Sequence, residues 1–198
     1  MNMKRSILLV VSIVLLSGTA RSQLYNRGNL SMGLGVSLHS VRLVRDSIKY
    51  SQALLPGLGV ELYSNLTKKL KINYGAQFAM LGTNDYDTLG NLRTFHLEPF
   101  VSLLFSPVES LFIEAGALYS YVIMAQTVRL SGETASGKKR TPIEGFTSSP
   151  EFFAGLHMKA SDRSLIGIRY YIPHTKTEFR RFELRFVLIM VEGYPKQR

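Results

Sequence analysis

The chain has 198 residues, 45% hydrophobic and 19% charged, with no cysteine and a net charge of +10. This length suits one domain, and the composition fits neither a disordered chain nor a helical membrane bundle. The missing cysteine excludes disulfides, thiol catalysis, cysteine-ligated metals and a lipidated N-terminal cysteine.

The N-terminus reads as a secretory leader. Lys4 and Arg5 supply the positive start, Ile7 to Leu16 an apolar run broken at Ser12, and Ser17 to Ala20 the small residues. Ala20-Arg21-Ser22 fits a cleavage site, leaving Gln23 as the new terminus. The expected organisation is a signal peptide over 1–22 and one domain over 23–198, exported by the general secretory route. The apolar run is shorter than the roughly 20 residues a spanning helix needs. A basic chain suits nucleic acid, an anionic membrane or an anionic polymer; export argues against nucleic acid.

The rest alternates with period two, the signature of strands with two different faces. In the first strand Leu30, Met32, Leu34, Val36 and Leu38 alternate with Ser31, Gly33, Gly35, Ser37 and His39. The second sets Leu58, Val60 and Leu62 against Gly57, Gly59, Glu61 and Tyr63. The third sets Leu70, Ile72, Tyr74, Ala76, Phe78 and Met80 against Lys71, Asn73, Gly75 and Gln77. The fourth sets Phe95, Leu97, Pro99, Val101, Leu103 and Phe105 against His96, Glu98, Phe100 and Ser102. The fifth, Leu111 to Ile123, alternates less cleanly, with Glu114, Gly116 and Ser120 on one face. The sixth carries Glu151, Phe153, Gly155 and His157 opposite Phe152, Ala154, Leu156 and Met158. The seventh carries Gly167, Arg169 and Tyr171 opposite Ile166, Ile168, Tyr170 and Ile172. The eighth carries Arg181, Glu183, Arg185 and Val187 opposite Phe182, Leu184, Phe186, Leu188 and Met190.

Tight links at 64–69, 106–110 and 160–164 alternate with longer ones at 42–52, 82–91, 124–147 and 173–176. Short turns on one rim and longer loops on the other predict an all-β fold: an eight-stranded antiparallel up-and-down transmembrane β-barrel with strands of about 9–11 residues. Alternation alone does not say which face is outside, since a lipocalin-like soluble carrier hides the apolar face and a membrane barrel shows it. Glycine crowds the polar face, which suits a narrow lumen better than a solvated sheet. Phe105, Phe112, Tyr119, Tyr121, Tyr170 and Phe179 near strand ends suggest an aromatic girdle.

The chain resembles the compact outer-membrane β-barrels of the Bacteroidota, grouped with PorT-like proteins and the OmpA transmembrane domain. The likeness rests on Ser22-Gln23 and on Gly-Leu-Gly-Val at 33–36 and 57–60. It rests also on Tyr63 to Leu70 at a turn and on Leu97-Glu98-Pro99-Phe100. It covers Gly28 to about Val191. A structural or surface-binding role is expected; the PorT-like resemblance implies, as one alternative, an accessory part in a secretion or uptake machine, and a lipid A-modifying enzyme is another.

Two sets of residues are candidates for function. The polar face carries Glu61, Glu98, Glu114, Glu151 and Glu183 with Lys71, Arg169, Arg181 and Arg185, which predicts an ion-pair network plugging the lumen. The longer loops carry Arg42, Arg45, Lys49, Arg129, Lys138, Lys139 and Arg140, candidate contacts for anionic lipid or lipopolysaccharide phosphates. The expected partners are therefore outer-membrane lipid, lipopolysaccharide and other envelope proteins. Neither His39-Ser40 nor His174-Thr175 gives a serine–histidine pair on one strand face. No calcium, zinc or phosphate-loop spacing is present, so no catalytic residue, metal or cofactor is expected.

Overall fold

The computed structural model describes residues 30–45, 48–84, 91–130, 138–142, 146–172 and 178–191. The leader and His174-Thr175 lie outside them. The strands are β1 (Leu30–Arg45), β2 (Ile48–Lys49), β3 (Ala53–Asn65), β4 (Leu70–Thr83) and β5 (Asn91–Val108). They continue as β6 (Leu111–Leu130), β7 (Lys138–Pro142), β8 (Ser149–Ser161), β9 (Ser164–Ile172) and β10 (Glu178–Val191).

Each long strand pairs antiparallel with the next, in the order β1, β3, β4, β5, β6, β8, β9, β10. Pairing of β10 with β1, from Met32↔Val191 to Val44↔Glu178, closes the ring. The two short strands only prolong existing hairpins, β2 on β1 and β7 on β6. The fold is thus the expected eight-stranded up-and-down barrel. The links 65–70, 108–111 and 161–164 gather on one rim. At the first, Thr67 Oγ1 accepts from the Leu70 amide at 3.0 Å.

The faces are also as alternation predicts, and the structure settles which is outside. Leu58 is 59% exposed, and Leu34, Val36, Val101, Leu103, Ile113, Leu156, Ile168 and Leu184 form a continuous exposed apolar band with it. The lumen holds Glu61, Glu98, Glu114, Arg169, Arg181, Glu183 and Arg185, all buried. This is a barrel built for lipid: in hydrocarbon a closed sheet satisfies every backbone N–H and C=O, and the apolar wall meets acyl chains instead of water.

Three expectations change. The strands outrun the bilayer, β5 reaching 18 residues and β6 reaching 20. Ladder pairing continues past the apolar band on the rim of longer links, so residues expected in loops stand on strands. The poor alternation of the fifth strand comes from apolar residues on its inward face, Phe112 and Leu118 being buried beside Glu114 and Ser120; beyond Tyr121 a bulge, where Phe95 pairs with Met124 but His96 with Val122, resets the faces. Finally, Phe105, Tyr119 and Tyr170 do face outward, but Phe112 is buried and Phe179 packs on the buried Val41, Ala79 and Leu81. On β6 the even positions face inward, and on β10 the odd ones do. Phe112 on β6 and Phe179 on β10 each follow the inward set of their own strand, so both fill the lumen instead of joining the girdle.

An arginine in place of Leu58 tests the assignment of faces. In vesicles Leu58→Arg is expected to lose about 2–4 kcal/mol of unfolding free energy, the cost of a cation facing mid-bilayer. Urea unfolding followed by heat-dependent gel mobility measures it, and an unchanged midpoint would contradict a lipid-facing Leu58.

Candidate functional site

Among the described residues, buried side chains line up along the lumen. At the short-turn end Tyr63, Leu104, Phe112 and Val187 form a buried apolar cluster. At the other end Val41, Ala79 and Leu81 pack with Phe179, and Leu43 and Leu92 pack with Tyr50, Phe146 and Phe179. Between these clusters lie the charges.

Glu114 on β6 is the best-connected carboxylate. Arg169 on β9 grips it with both edges of its fork, Nε donating to Oε2 and Nη2 to Oε1, each at 2.7 Å. Ser102 Oγ donates to Oε1 at 2.5 Å, and His157 Nε2 lies 2.6 Å from Oε2. Glu61 on β3 accepts from Arg185 Nε at 2.6 Å, Tyr63 OH at 2.7 Å and Asn73 Nδ2 at 2.8 Å. Arg185 Nη1 donates to Glu183 Oε1 at 2.7 Å and to Gln77 Oε1 at 2.6 Å. Tyr171 OH donates to the other Glu183 oxygen. Arg169 also reaches Glu61 and Glu183 at 3.9 Å, joining the two halves.

A second group lies toward the longer links. Arg181 Nη1 is 2.9 Å from Glu98 Oε1, and its Nη2 is 3.2 Å from Glu151 Oε2. Gln77 Nε2 donates to Glu98 Oε2 at 2.7 Å and to Tyr171 OH at 3.2 Å, tying this group to the first. The guanidinium faces are also used. Arg181 lies 3.7 Å over the Tyr171 ring, and Arg169 is sandwiched 4.9 Å from Phe100 and 4.7 Å from Phe153.

Of the residues expected here, the structure brings together Glu61, Glu98, Glu114, Glu151, Arg169, Arg181, Glu183 and Arg185. Lys71 stands lower, its Nζ 5.0 Å from the centre of the Phe112 ring. Sequence reasoning missed Tyr63, Asn73, Gln77, Ser102, Ser120 and Tyr171 as members. Their signal was available: all share the inward face of their strands with the charges. The glycines make the room. A Cβ on Gly35 would lie 3.0 Å from Glu61 Oε1, and one on Gly167 only 2.2 Å from His157 Nδ1.

The group that most resembles a catalytic arrangement does not have the order catalysis needs. His96 Nδ1 is 2.7 Å from Ser120 Oγ, but Ser120 donates to Glu98, while the other histidine nitrogen meets Thr94 Oγ1. The acid therefore sits on the serine and does not orient the base. His39 is buried in the lumen, whereas Ser40 lies on the opposite face of β1.

The seven basic residues expected in loops stand on strands: Arg42 and Arg45 on β1, Lys49 on β2, Arg129 on β6, and Lys138, Lys139 and Arg140 on β7. Arg42 is exposed on the outer wall, directly opposite Arg180.

No family model and no curated protein matches the chain. Solved structures do. Neisserial surface protein A aligns with a TM-score of 0.54 at 7% identity, over 79% of this chain and 96% of its own. Ail, the attachment invasion locus protein of Yersinia pestis, aligns with a TM-score of 0.49 at 13% identity, over 82% of this chain and 98% of its own. A de novo designed transmembrane β-barrel aligns with a TM-score of 0.44 at 11% identity, over 81% of this chain and 95% of its own. At such identities the likeness is one of fold: the chain has the architecture of small outer-membrane β-barrels.

Neutralising the central carboxylate tests the network. Glu114→Gln leaves Arg169 without its bidentate partner and is expected to cost about 3 kcal/mol, as breaking a buried pair does. Lys68→Met, at the exposed turn between β3 and β4, is expected to cost about 1 kcal/mol or less. The temperature at which the folded band unfolds in a gel separates the two; equal values would mean the network carries no such weight.

Proposed function

We propose that this protein is an exported, non-enzymatic structural and surface-binding barrel of the outer membrane of a Gram-negative bacterium, with a lumen blocked to ions. The observation that carries the reading is the inversion of faces, with ionised side chains paired inside and an uninterrupted apolar wall outside. In this reading 1–22 is the leader removed on export and 23–198 the barrel domain. The short turns face the periplasm, as the even strand count favours, and the longer links face outward.

The charged lumen supports blockage over conduction. Eight strands enclose a bore that side chains fill. Each arginine is held by one or more carboxylates, and an apolar cluster stands at each end. An ion crossing would have to part several buried pairs, each costly to break. The basic rim residues Arg42, Arg45, Lys49, Arg129, Lys138, Lys139 and Arg140 then serve contact with anionic lipid, lipopolysaccharide or other envelope proteins.

Two measurements test this reading. The protein should fractionate with the outer membrane and run as a band whose mobility shifts on boiling. Reconstituted in a planar bilayer it should show no steady conductance. A heat-indifferent band in the soluble periplasmic fraction would sink the membrane seat, and stable open channels would sink the blocked lumen.

A further inference from the structure

The outer wall along the closing seam changes character in a single step. On the outward face β1 presents Val36, Leu38, Ser40 and Arg42, and β10 presents Phe186, Leu184, Phe182 and Arg180. The register pairs them as Val36↔Phe186, Leu38↔Leu184, Ser40↔Phe182 and Arg42↔Arg180. Apolar side chains thus run up both strands and give way, about 7 Å beyond Ser40 and Phe182, to two arginines side by side. Below them the Phe182 ring packs on Tyr170 with centroids 4.9 Å apart, an aromatic pair at the band's edge.

Like charges directly opposite on neighbouring strands repel and destabilise the pair. Among the described residues no ion pair or hydrogen bond offsets this repulsion. The contrast is Arg93, the outward arginine of β5. It donates to the Thr83 and Leu92 carbonyls at 2.9 and 2.7 Å and to Asn84 Oδ1 at 2.9 Å, so its donors are spent on the protein. Arg42 and Arg180 keep theirs, at the depth where hydrocarbon ends and headgroups begin. The acidic residue nearest in register is Glu178, two positions along β10 and opposite Val44.

We infer that Arg42 and Arg180 together form a phosphate site for a phosphorylated glycolipid of the outer leaflet. The inference rests on the membrane seat proposed above. Two guanidiniums about 5 Å apart at their backbones can each present a planar fork to one phosphate. The anion removes the repulsion between them, while the acyl chains lie against Leu38, Leu184 and Phe182 on the same wall. Arg180 belongs to this site although it lies outside the basic loop residues.

The test uses the full-length mature barrel in vesicles of phosphatidylcholine, with and without bisphosphorylated lipid A. The readouts are the urea midpoint of the heat-shifting band and lipid retention by native mass spectrometry. Wild type is expected to gain resistance to urea with lipid A and to retain the lipid. Arg42→Gln/Arg180→Gln is expected to lose that gain, with retention lower by about tenfold or more, as when two charge-assisted contacts are removed. In phosphatidylcholine alone the double variant should be at least as resistant as wild type, because the repulsion is gone; a merely structural pair would give the opposite. Lys68→Gln, at a turn on the other rim, should respond as wild type. A double variant that gains from lipid A as wild type does overturns the site. An equal gain from inorganic phosphate in phosphatidylcholine overturns the lipid as its ligand. Wild type that gives no heat-shifting band in phosphatidylcholine alone overturns the membrane seat itself, and the site with it.

Discussion

Closure of β1 against β10 is the constraint on which the rest of the molecule depends. In hydrocarbon an unpaired backbone N–H or C=O costs several kcal/mol, and an open sheet would expose two rows of them. The ladder from Met32↔Val191 to Val44↔Glu178 removes both edges at once. Eight strands joined in this way fix the bore, and the bore fixes what the lumen can hold.

A narrow lumen that receives charges must pair them, and this decides the character of the interior. Arg169 uses nearly every surface it has: it binds a carboxylate along its fork while its faces meet Phe100 and Phe153. The aromatic rings separate ionic groups from one another and fill the gaps that water would otherwise occupy. Glycine plays the complementary part. Gly155, whose added Cβ would lie 3.0 Å from Arg169 Cγ, leaves the space through which that side chain reaches Glu114. Charges, rings and glycines on the inward face are one packing solution.

The outer wall is simpler and tells more about surroundings. Its apolar band ends at a level marked by Ser40, Phe182 and Tyr170, and the strands continue beyond it as hairpins. Polar links hold that extension together: Gln52 Nε2 donates to Ser40 Oγ, and Asn84 Nδ2 to the Gln52 carbonyl at 3.2 Å. Strand pairing thus continues past the apolar band, with Arg42 and Arg45 on β1, Lys49 on β2 and Arg129 on β6 standing on this prolonged ladder.

The sequence alone determined the strand number, the position of the tight turns and the inward-facing set, because a side-chain period of two is a local property of an extended chain. It also marked Asn73, Gln77 and Tyr171 as inward, though not as partners of the charges. Only the tertiary structure decided which carboxylate meets which arginine. Glu61 and Arg185 are 124 residues apart, and Glu114 and Arg169 are 55 apart. Alternation assigns a face to each residue but no height. Heights come from the tilt and stagger of strands around the closed ring, and from bulges such as the one between Phe95 and His96. The same holds for Arg42 and Arg180, which become neighbours only when the last strand returns to the first.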